Sequence, residues 1–306
     1  MRRCALAMRC LPRGRVWMAF LLAGALLPTL ASTEVAVAKK PFMWKASSGS
    51  ATVYMLGSMH IARTNIYPLA ASIEAAFASS ESVVFEVPMD PKSQFEALKK
   101  MTAAAVLPED ETLADHLPKD VLKTLDTYLA EAEMDVGTLY RLRPWYVAIA
   151  IALQAAQEAG FNPMWGIEAH FLHKLGTRAT SGLETVDEQV GMLAGLTAEQ
   201  QLSFLEATLR DAGQAGEQIN AIADIWSKGD ADALDVLLRE SLEGNKEFQD
   251  IYDAMITDRN YRMADKIEAL LETESTHFVI VGASHLVGAE GILEILRKKN
   301  HEVSQQ

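Results

Sequence analysis

The sequence predicts an α/β (α+β) fold, with a small central mixed sheet built from both ends of the chain and a large helical insertion at about residues 91–255. Apolar runs rich in β-branched residues lie near the start of the chain, at Thr52–Leu56 and Ser82–Val87, and near its end, at Phe278–Val281. Such short runs are typical of buried strands. Between them, apolar residues recur every three or four positions, which is typical of amphipathic helices.

The order of the elements follows from turn and breaker residues. Ser47-Ser-Gly-Ser50 lies between two apolar runs and predicts an opening β-hairpin. A helix at Leu69–Ser79 then separates the first two buried strands, which favours a right-handed crossover unit. Pro118 and Pro144 stand where helices can begin. The other predicted elements are strands at Thr180–Thr185 and Glu302–Val303 and helices at Gln94–Met101, Leu113–Leu117, Asp120–Glu133, Pro144–Ala159, Glu168–Gly176, Thr197–Ala212, Gly216–Ser227, Ala231–Ser241, Gln249–Glu272 and Ala289–Lys299.

Residues 1–38 have the order of a secretory signal peptide. Five arginines precede an apolar run at Met18–Leu30, and Ala36-Val-Ala38 follows as a small-residue cleavage site, with Ala31 as an alternative. The run is short for a membrane span, so an uncleaved anchor is the less favoured interpretation. We therefore expect residues 39–306 to form one mature domain, or two closely packed lobes, that is periplasmic or secreted and has no stable membrane insertion.

Composition narrows the function classes further. Both cysteines, Cys4 and Cys10, lie in the segment that is expected to be removed, so the mature chain has no thiol and no disulfide. The full chain carries a formal net charge of −13, and loss of the cationic first 38 residues makes the mature domain more acidic still. Such a surface argues against binding to nucleic acid or to anionic membranes.

Two Gly-x-x-His motifs follow strand-like runs at opposite ends of the chain. Gly57 precedes His60 by three residues, and Gly282 precedes His285 by three residues. Ligands bind at the carboxyl ends of the strands in open α/β sheets. Glycine supplies the conformational freedom that a sharp turn at such a strand end needs. The motifs therefore predict that the two imidazoles lie in one crevice.

Glu86, at the end of the strand between the two motifs, is the third member of the predicted metal site. Imidazole suits divalent metals such as Mn, Co or Zn, and catalytic sites usually add a carboxylate and keep one position open for water. Glu86 is predicted to ligate the metal or to serve as general base. The alternative is that each histidine, His60 and His285, caps its own turn by hydrogen bonding.

Arg259 and a cluster around Glu168 are further candidates. Arg259 precedes the last strand by about one helix, which would place it beside Glu86, where it could hold the carboxylate ionised or stabilise developing charge. A solvated surface charge is the alternative. Glu168, His170 and His173 could share a metal, but their spacing differs from that of a zinc-protease helix. A polar helix face is the favoured interpretation, and the role of Glu168 is left open.

Seven segments, in the right order along nearly the whole mature chain, resemble one family. They are Phe42-Met-Trp-Lys45, Tyr54-Met-Leu-Gly-Ser-Met-His60, Val84-Phe-Glu86, Trp165-Gly-Ile-Glu168, Leu183-Glu-Thr185 with Gln189, Asp258-Arg-Asn260 and Val281-Gly-Ala-Ser-His-Leu-Val-Gly288. These segments look like the TraB/GumN family, which includes the Tiki metalloproteases. The family pattern usually has threonine where Ser58 stands and aspartate where Glu168 stands.

The resemblance implies a divalent-metal hydrolase centred on the two Gly-x-x-His motifs, one glutamate and one arginine. Animal members cleave peptides near the N-terminus of a secreted signal protein, and related folds include haem-associated and esterase-like proteins. The leading hypothesis is an exported metal-dependent hydrolase that acts on a peptide or small-molecule substrate. Peptidase is the favoured activity. The alternatives are a metal-free hydrolase that uses histidine and glutamate as acid and base, and a non-enzymatic protein that binds peptide or haem. Substrate, metal identity and oligomeric state are left open.

Overall fold

The computed structural model of the chain describes residues 40–242 and 246–306. The predicted signal peptide and both of its candidate cleavage sites, at Ala38 and Ala31, lie outside the described residues. In the part of the chain that the structure describes, no helix is both long enough and apolar enough to cross a membrane.

A six-stranded mixed sheet forms the centre of the molecule, in the order β4-β3-β5-β2-β1-β6. The strands are β1 (Met43–Ser48), β2 (Ala51–Ser58), β3 (Ser82–Phe85), β4 (Ala179–Gly182), β5 (Thr276–Gly282) and β6 (Val303–Gln305). Strands β4, β3, β5 and β2 pair in parallel, while β1 pairs antiparallel with both β2 and β6. The α/β fold class predicted from the sequence is thus confirmed, and the two ends of the chain supply all strands but β4.

Burial explains the position of each strand in the sheet. In β5, Phe278–Val281 are all fully buried, as expected for a parallel strand that is covered on both faces. The turn Gly49-Ser50 closes the predicted hairpin between β1 and β2. β4 has the sequence Ala-Thr-Ser-Gly and is half-exposed, which explains its place at the edge of the sheet.

Helices surround the sheet and fill the region between β3 and β5. Within the described residues they are α1 (Ala71–Ser79), α2 (Pro91–Ala105), α3 (Lys119–Glu131), α4 (Val136–Leu139), α5 (Pro144–Glu158), α6 (Ile167–Leu172), α7 (Val186–Ala194), α8 (Ala198–Asp211), α9 (Ala215–Ser227), α10 (Ala231–Leu242), α11 (Lys246–Tyr252), α12 (Asp258–Leu270), α13 (Ala283–Leu286) and α14 (Ile292–Lys298). Their starts carry the expected caps: Asp90 caps α2, and Thr185 and Thr197 form capping boxes at α7 and α8.

Two helix predictions need correction, and some helices have no predicted counterpart. The segment predicted as a helix at Leu113–Leu117 forms only a 3₁₀ turn at Leu113–Asp115. The long helix predicted at Gln249–Glu272 is interrupted by a π-helical turn at Asp253–Thr257, which separates α11 from α12. Helix α7 and the four-residue helices α4 and α13 have no counterpart among the predicted helices, because they are short; α7 has nine residues, of which four are Val, Met or Leu.

The π-helical turn lies next to the carboxyl ends of the parallel strands. It contacts α7 on one side and α13 on the other, and α12 continues from it to contact β2. Extra turns of this kind often occur at functional sites, because they redirect the side chains that follow. Here Arg259 and Asn260 are the second and third residues after the turn.

Candidate active site

The four parallel strands each carry a candidate side chain just beyond their carboxyl ends. These residues are His60 after β2, Glu86 after β3, Glu184 after β4 and His285 after β5. In the sheet, β5 lies between β3 and β2, so Glu86 and His60 flank the end of β5 from its two sides. This arrangement is the one expected where parallel strand ends form a crevice.

Gly282, the last residue of β5, lies at the centre of this group. A Cβ atom on residue 282 would lie 3.2 Å from Glu86 Oε1, 3.4 Å from His285 Cδ2 and 3.9 Å from His60 Nε2. The structure therefore brings His60, Glu86 and His285 around one point. Both histidine rings therefore approach the same point, each with an atom no more than 3.9 Å from it.

The two motif glycines serve close packing and not an unusual backbone conformation, which corrects the expectation from the sequence. Gly282 has φ −50° and ψ 137°, which any residue can adopt. A Cβ on Gly57 would lie 2.5 Å from the ring of Phe42 and 3.2 Å from Ala283 Cα. Gly57 therefore lets β2 pack against Phe42, while Gly282 leaves open the space among Glu86 and the two histidines.

Glu86 is buried, and both of its oxygens accept hydrogen bonds. Oε1 accepts from the backbone N–H of Gly282 at 2.7 Å and lies 3.9 Å from His285 Nε2. Oε2 accepts from Arg259 Nη2 at 2.7 Å and from Gln189 Nε2 at 3.3 Å. Burial by itself would raise the pKa of Glu86, but the neighbouring His285, Arg259 and His60 and the Gly282 N–H together hold that pKa well below its usual range.

Arg259 is buried between two carboxylates. Its Nε lies 3.0 Å from both oxygens of Glu184, and its Nη2 lies 2.7 Å from Glu184 Oε2 as well as from Glu86 Oε2. Nη1 donates to the carbonyl oxygen of Met255 in the π-helical turn at 2.8 Å. The alternative of a solvated surface charge is therefore wrong. Because most of its N–H groups are engaged, Arg259 is better placed to neutralise Glu86 than to bind a substrate anion with a free fork of donors.

His285 is 3% exposed and is oriented by Asn260. Its Nδ1 lies 2.6 Å from Asn260 Oδ1, and Asn260 Nδ2 donates to the carbonyl oxygen of Glu290 at 2.8 Å. Since the amide oxygen is an acceptor, His285 Nδ1 carries the proton and Nε2 is left with its lone pair facing Glu86. Burial lowers the pKa of His285 to about 3, even though Glu86 opposes the shift, so the ring is neutral at pH 7.

His60 has the same arrangement at Nδ1 but a different environment. Its Nδ1 lies 2.9 Å from Glu168 Oε1, and the Ser58 hydroxyl donates to the same oxygen. The side chain of His60 is 55% exposed. The negative charge of Glu168 raises the pKa of His60 to about 9, against the opposing effect of desolvation. In both histidines, therefore, Nδ1 is engaged and Nε2 is available to the space around Gly282.

The chemistry of these side chains fits a divalent metal ion. Imidazole Nε2 atoms with Nδ1 hydrogen-bonded to an acceptor are the usual form of metal-binding histidine, and Glu86 adds an ionised carboxylate. Among residues 40–242 and 246–306, however, no group of three or more His, Cys, Asp or Glu side chains is already arranged as a metal site. The donors are thus suitable in kind, and side-chain adjustment is needed to bring three of them onto one ion.

The alternative cluster of Glu168, His170 and His173 does not assemble. Glu168 turns to His60, whereas His170 Nε2 lies 2.9 Å from Glu74 Oε1 and the His170 ring stacks on Tyr67. His173 is exposed. The interpretation of 170 and 173 as a polar helix face agrees with this arrangement.

Sequence reasoning left three contacts of the site unassigned. Glu184 pairs with Arg259, Asn260 accepts a hydrogen bond from His285, and Glu168 contacts His60 Nδ1. All three occur in the segments that resemble the TraB/GumN family. For Glu184 a further signal was present, since it follows a predicted strand as Glu86 does.

Fold and site together define an α/β protein with a two-histidine, carboxylate-rich centre at the ends of its parallel strands. The family model described as the TraB/PrgY/gumN family matches residues 42–305, and the chain belongs to this family.

Curated relatives include both animal and bacterial proteins. Metalloprotease TIKI2 of Danio rerio is 27% identical over 302 residues, which cover 82% of this chain and 57% of that protein. Uncharacterized protein YbaP of Escherichia coli is 23% identical, covering 81% of this chain and 89% of that protein. An uncharacterized protein of Treponema pallidum is 20% identical, covering 85% of this chain and 81% of its own length. No solved structure gives a significant match.

Proposed function

We propose that this protein is an exported, metal-dependent hydrolase that acts on peptides. The observation that carries the proposal is the position of His60 Nε2, Glu86 Oε1 and the His285 ring around Gly282, with both Nδ1 atoms engaged by acceptors. The similarity to a protein named as a metalloprotease supports the same class of reaction. Peptidase activity is part of the proposal, because this chain spans 57% of that relative's length.

In this proposal His60, His285 and Glu86 hold the ion, which would be Mn, Co or Zn. When bound, such an ion polarises the scissile carbonyl and lowers the pKa of a bound water. His285 is neutral and already presents Nε2, so it needs no proton loss to serve as a ligand. His60 must release a proton, because the pKa of its ring is raised to about 9.

Glu86 suits the role of ligand better than that of general base. A general base is most effective when its pKa is near the working pH, whereas the pKa of Glu86 is held well below its usual range. Oε2 is already occupied by Arg259 and Gln189, so Oε1 is the oxygen that faces His285. Arg259 and Glu184 then keep Glu86 ionised and fixed.

The protonated state of His60 favours a second candidate, a metal-free hydrolase. A half-exposed imidazolium next to the crevice can donate a proton to a leaving group. In that case His60 is the general acid of a histidine–glutamate site. Glu168 would then keep His60 protonated, and burial would keep His285 neutral.

The deciding experiment combines metal analysis with turnover. Purified mature protein is assayed for bound metal and for cleavage of a peptide library, with and without a chelator. We expect bound divalent metal, chelator-sensitive cleavage, and loss of both in the variants His60→Ala and His285→Ala. His170→Ala is the control, since His170 pairs with Glu74 outside the crevice. Cleavage that resists the chelator supports the metal-free hydrolase, and binding of peptide or haem without turnover contradicts both enzymatic proposals.

Export is tested separately. The mature N-terminus of protein taken from a periplasmic or secreted fraction is expected at Lys39, or at Ser32 if cleavage follows Ala31. An intact Met1 on membrane-bound protein contradicts the proposal.

A further inference from the structure

We propose that Glu168 is the positioning residue for His60, and that the start of α6 docks onto the end of β2 so that His60 Nε2 faces Gly282. This inference rests on the proposed function of His60. It gives a role to a residue that neither the sequence pattern nor the family resemblance explains.

The first support is how closely α6 approaches the His60 loop. Gly166 precedes α6, and a Cβ at this position would collide with the carbonyl oxygen of His60. The backbone N–H of Ile167, the first residue of α6, donates to the carbonyl oxygen of Met59 at 3.1 Å. The backbone of α6 is thus fixed to the chain on either side of the His60 ring, and Glu168 projects from its first turn.

The second support is the unequal use of the two Glu168 oxygens. Oε1 accepts from both the Ser58 hydroxyl and His60 Nδ1. Oε2 is buried and has no hydrogen-bond partner among the described residues. Buried polar atoms usually have partners, so a carboxylate kept only for stability would be expected to pair both oxygens. Here a single oxygen is directed at His60, and Ser58 holds that oxygen in place.

A neighbouring carboxylate–histidine pair, between Glu74 of α1 and His170 of α6, shows the contrast. Glu74 contacts His170 Nε2 at 2.9 Å, and Lys174 Nζ lies 2.8 and 2.9 Å from its two oxygens. Both Glu74 oxygens are therefore paired, and the histidine lies outside the crevice. The Glu74–His170 contact is therefore a structural carboxylate–histidine pair, and Glu74 provides a matched control for Glu168.

The physical effect is control of ring orientation. The half-exposed His60 side chain has room to rotate, and a rotated ring would turn Nε2 away from Gly282. An acceptor fixed at Nδ1 selects one orientation and leaves Nε2 as the donor atom for the centre. Loss of such a partner typically lowers metal affinity or activity about 10–100-fold.

The experiment compares Glu168→Ala, Glu168→Gln and the control Glu74→Ala. Affinity for Zn²⁺ and Mn²⁺ is measured by calorimetry, and the hydrogen bond is followed as a protected, downfield Nδ1–H proton of His60 in NMR spectra. We expect Glu168→Ala to lose that resonance and to weaken metal binding about 10–100-fold. Glu168→Gln keeps a carbonyl acceptor, so it should retain the resonance and most of the affinity. Glu74→Ala should match the wild type in both measurements.

A double variant separates positioning from general stability. If Glu168 acts through His60, then adding Glu168→Ala to His60→Ala weakens metal binding no further, and melting temperatures show that both proteins are folded. A further loss in the double variant, or an unchanged resonance in Glu168→Ala, overturns the proposal. If the wild-type protein binds neither ion, the metal-dependent function fails, and Glu168 is then judged by the His60 resonance and by peptide turnover alone.

Discussion

The two Gly-x-x-His motifs share a sequence pattern but form two different halves of the centre. The His285 half is buried, and its ring is held by the neutral amide of Asn260. The His60 half is exposed to solvent over 55% of its side chain, and its ring is held by the carboxylate of Glu168. Spacing within the motif therefore determines where each imidazole lies, while its surroundings determine its charge: Glu168 for His60, and burial for His285.

The difference in charge assigns the halves different tasks. At neutral pH His285 is uncharged and His60 is an imidazolium, because burial lowers the pKa of the first to about 3 and Glu168 raises that of the second to about 9. The buried half also contains the Glu86–Arg259–Glu184 ion cluster. We infer that the buried half is the rigid part of the centre and that the exposed half is the part that exchanges protons and meets the substrate.

The largest expected effect comes from removing the cation of the buried half. Arg259→Ala leaves Glu86 and Glu184 buried without their ion-pair partner, and a broken buried pair costs about 3–5 kcal/mol in free energy of unfolding. Arg259→Lys should cost less, because it keeps the charge but loses the fork of donors. Chemical denaturation measures both values, and peptide turnover should fall in the same order.

The surface pair Arg239–Asp235 is the control for this comparison. Arg239 is exposed and contacts Asp235 at 2.8 Å within α10, so Arg239→Ala should cost less than about 1 kcal/mol. Equal losses in Arg239→Ala and Arg259→Ala would show that the buried half is no more rigid than the surface.

The two motif glycines offer a second contrast. Gly57→Ala would push a Cβ into the Phe42 ring, so it should destabilise the fold by about 1–3 kcal/mol through overpacking. Gly282→Ala places its methyl group among Glu86 and the two imidazoles at 3.2 to 3.9 Å, so Glu86 must shift by a few tenths of an ångström and the crevice is filled. We expect a near-native melting temperature with strongly reduced turnover. Full activity in Gly282→Ala would contradict the location of the centre.

Much of this centre could be predicted because its main residues stand at the ends of apolar strands. His60, Glu86 and His285 all follow such runs, and parallel pairing brings strand ends together. The partners Glu168 and Asn260 could not be assigned in the same way. Each lies on a helix, and its contact with a histidine depends on how that helix docks, which local periodicity does not encode. In the sequence, Glu168 is also much nearer to His170 than to His60, so His170 is the more obvious partner.

Changing the hydrogen-bond partner of each histidine tests whether Glu168 and Asn260 cause the difference in charge between His60 and His285. Asn260→Asp should raise the pKa of His285, and Glu168→Gln should lower that of His60, because each swap adds or removes one negative charge at Nδ1. NMR titration of each ring measures the result. Asn260→Asp also loses the donor to the Glu290 carbonyl, so we expect it to cost about 1–2 kcal/mol in stability. Unchanged pKa values would mean that burial alone separates the two halves.

The same swaps should change the pH dependence of stability in opposite directions. The raised pKa of His60 contributes stability that is complete below its ordinary value of 6.5 and is lost as pH rises through about 9. The lowered pKa of His285 contributes stability that is present above 6.5 and is lost as pH falls towards about 3. Relative to the wild type, Glu168→Gln should flatten the alkaline side of the stability profile and Asn260→Asp the acid side.

The smallest expected effect concerns the link between the exposed half and the helical region. Trp226, on α9, donates its Nε1–H to the carbonyl oxygen of Gly57 at 2.6 Å. Trp226→Phe keeps an aromatic ring but deletes this donor, so it should cost about 1 kcal/mol and reduce turnover only slightly. Because the bond ends three residues before His60, NMR shifts should change at His60 and stay constant at His285. Phe95→Leu, at an exposed position of α2, is the control. A shift at His285 as large as that at His60 would show that the two halves are mechanically coupled, and the division into a rigid and an exposed half would then be wrong.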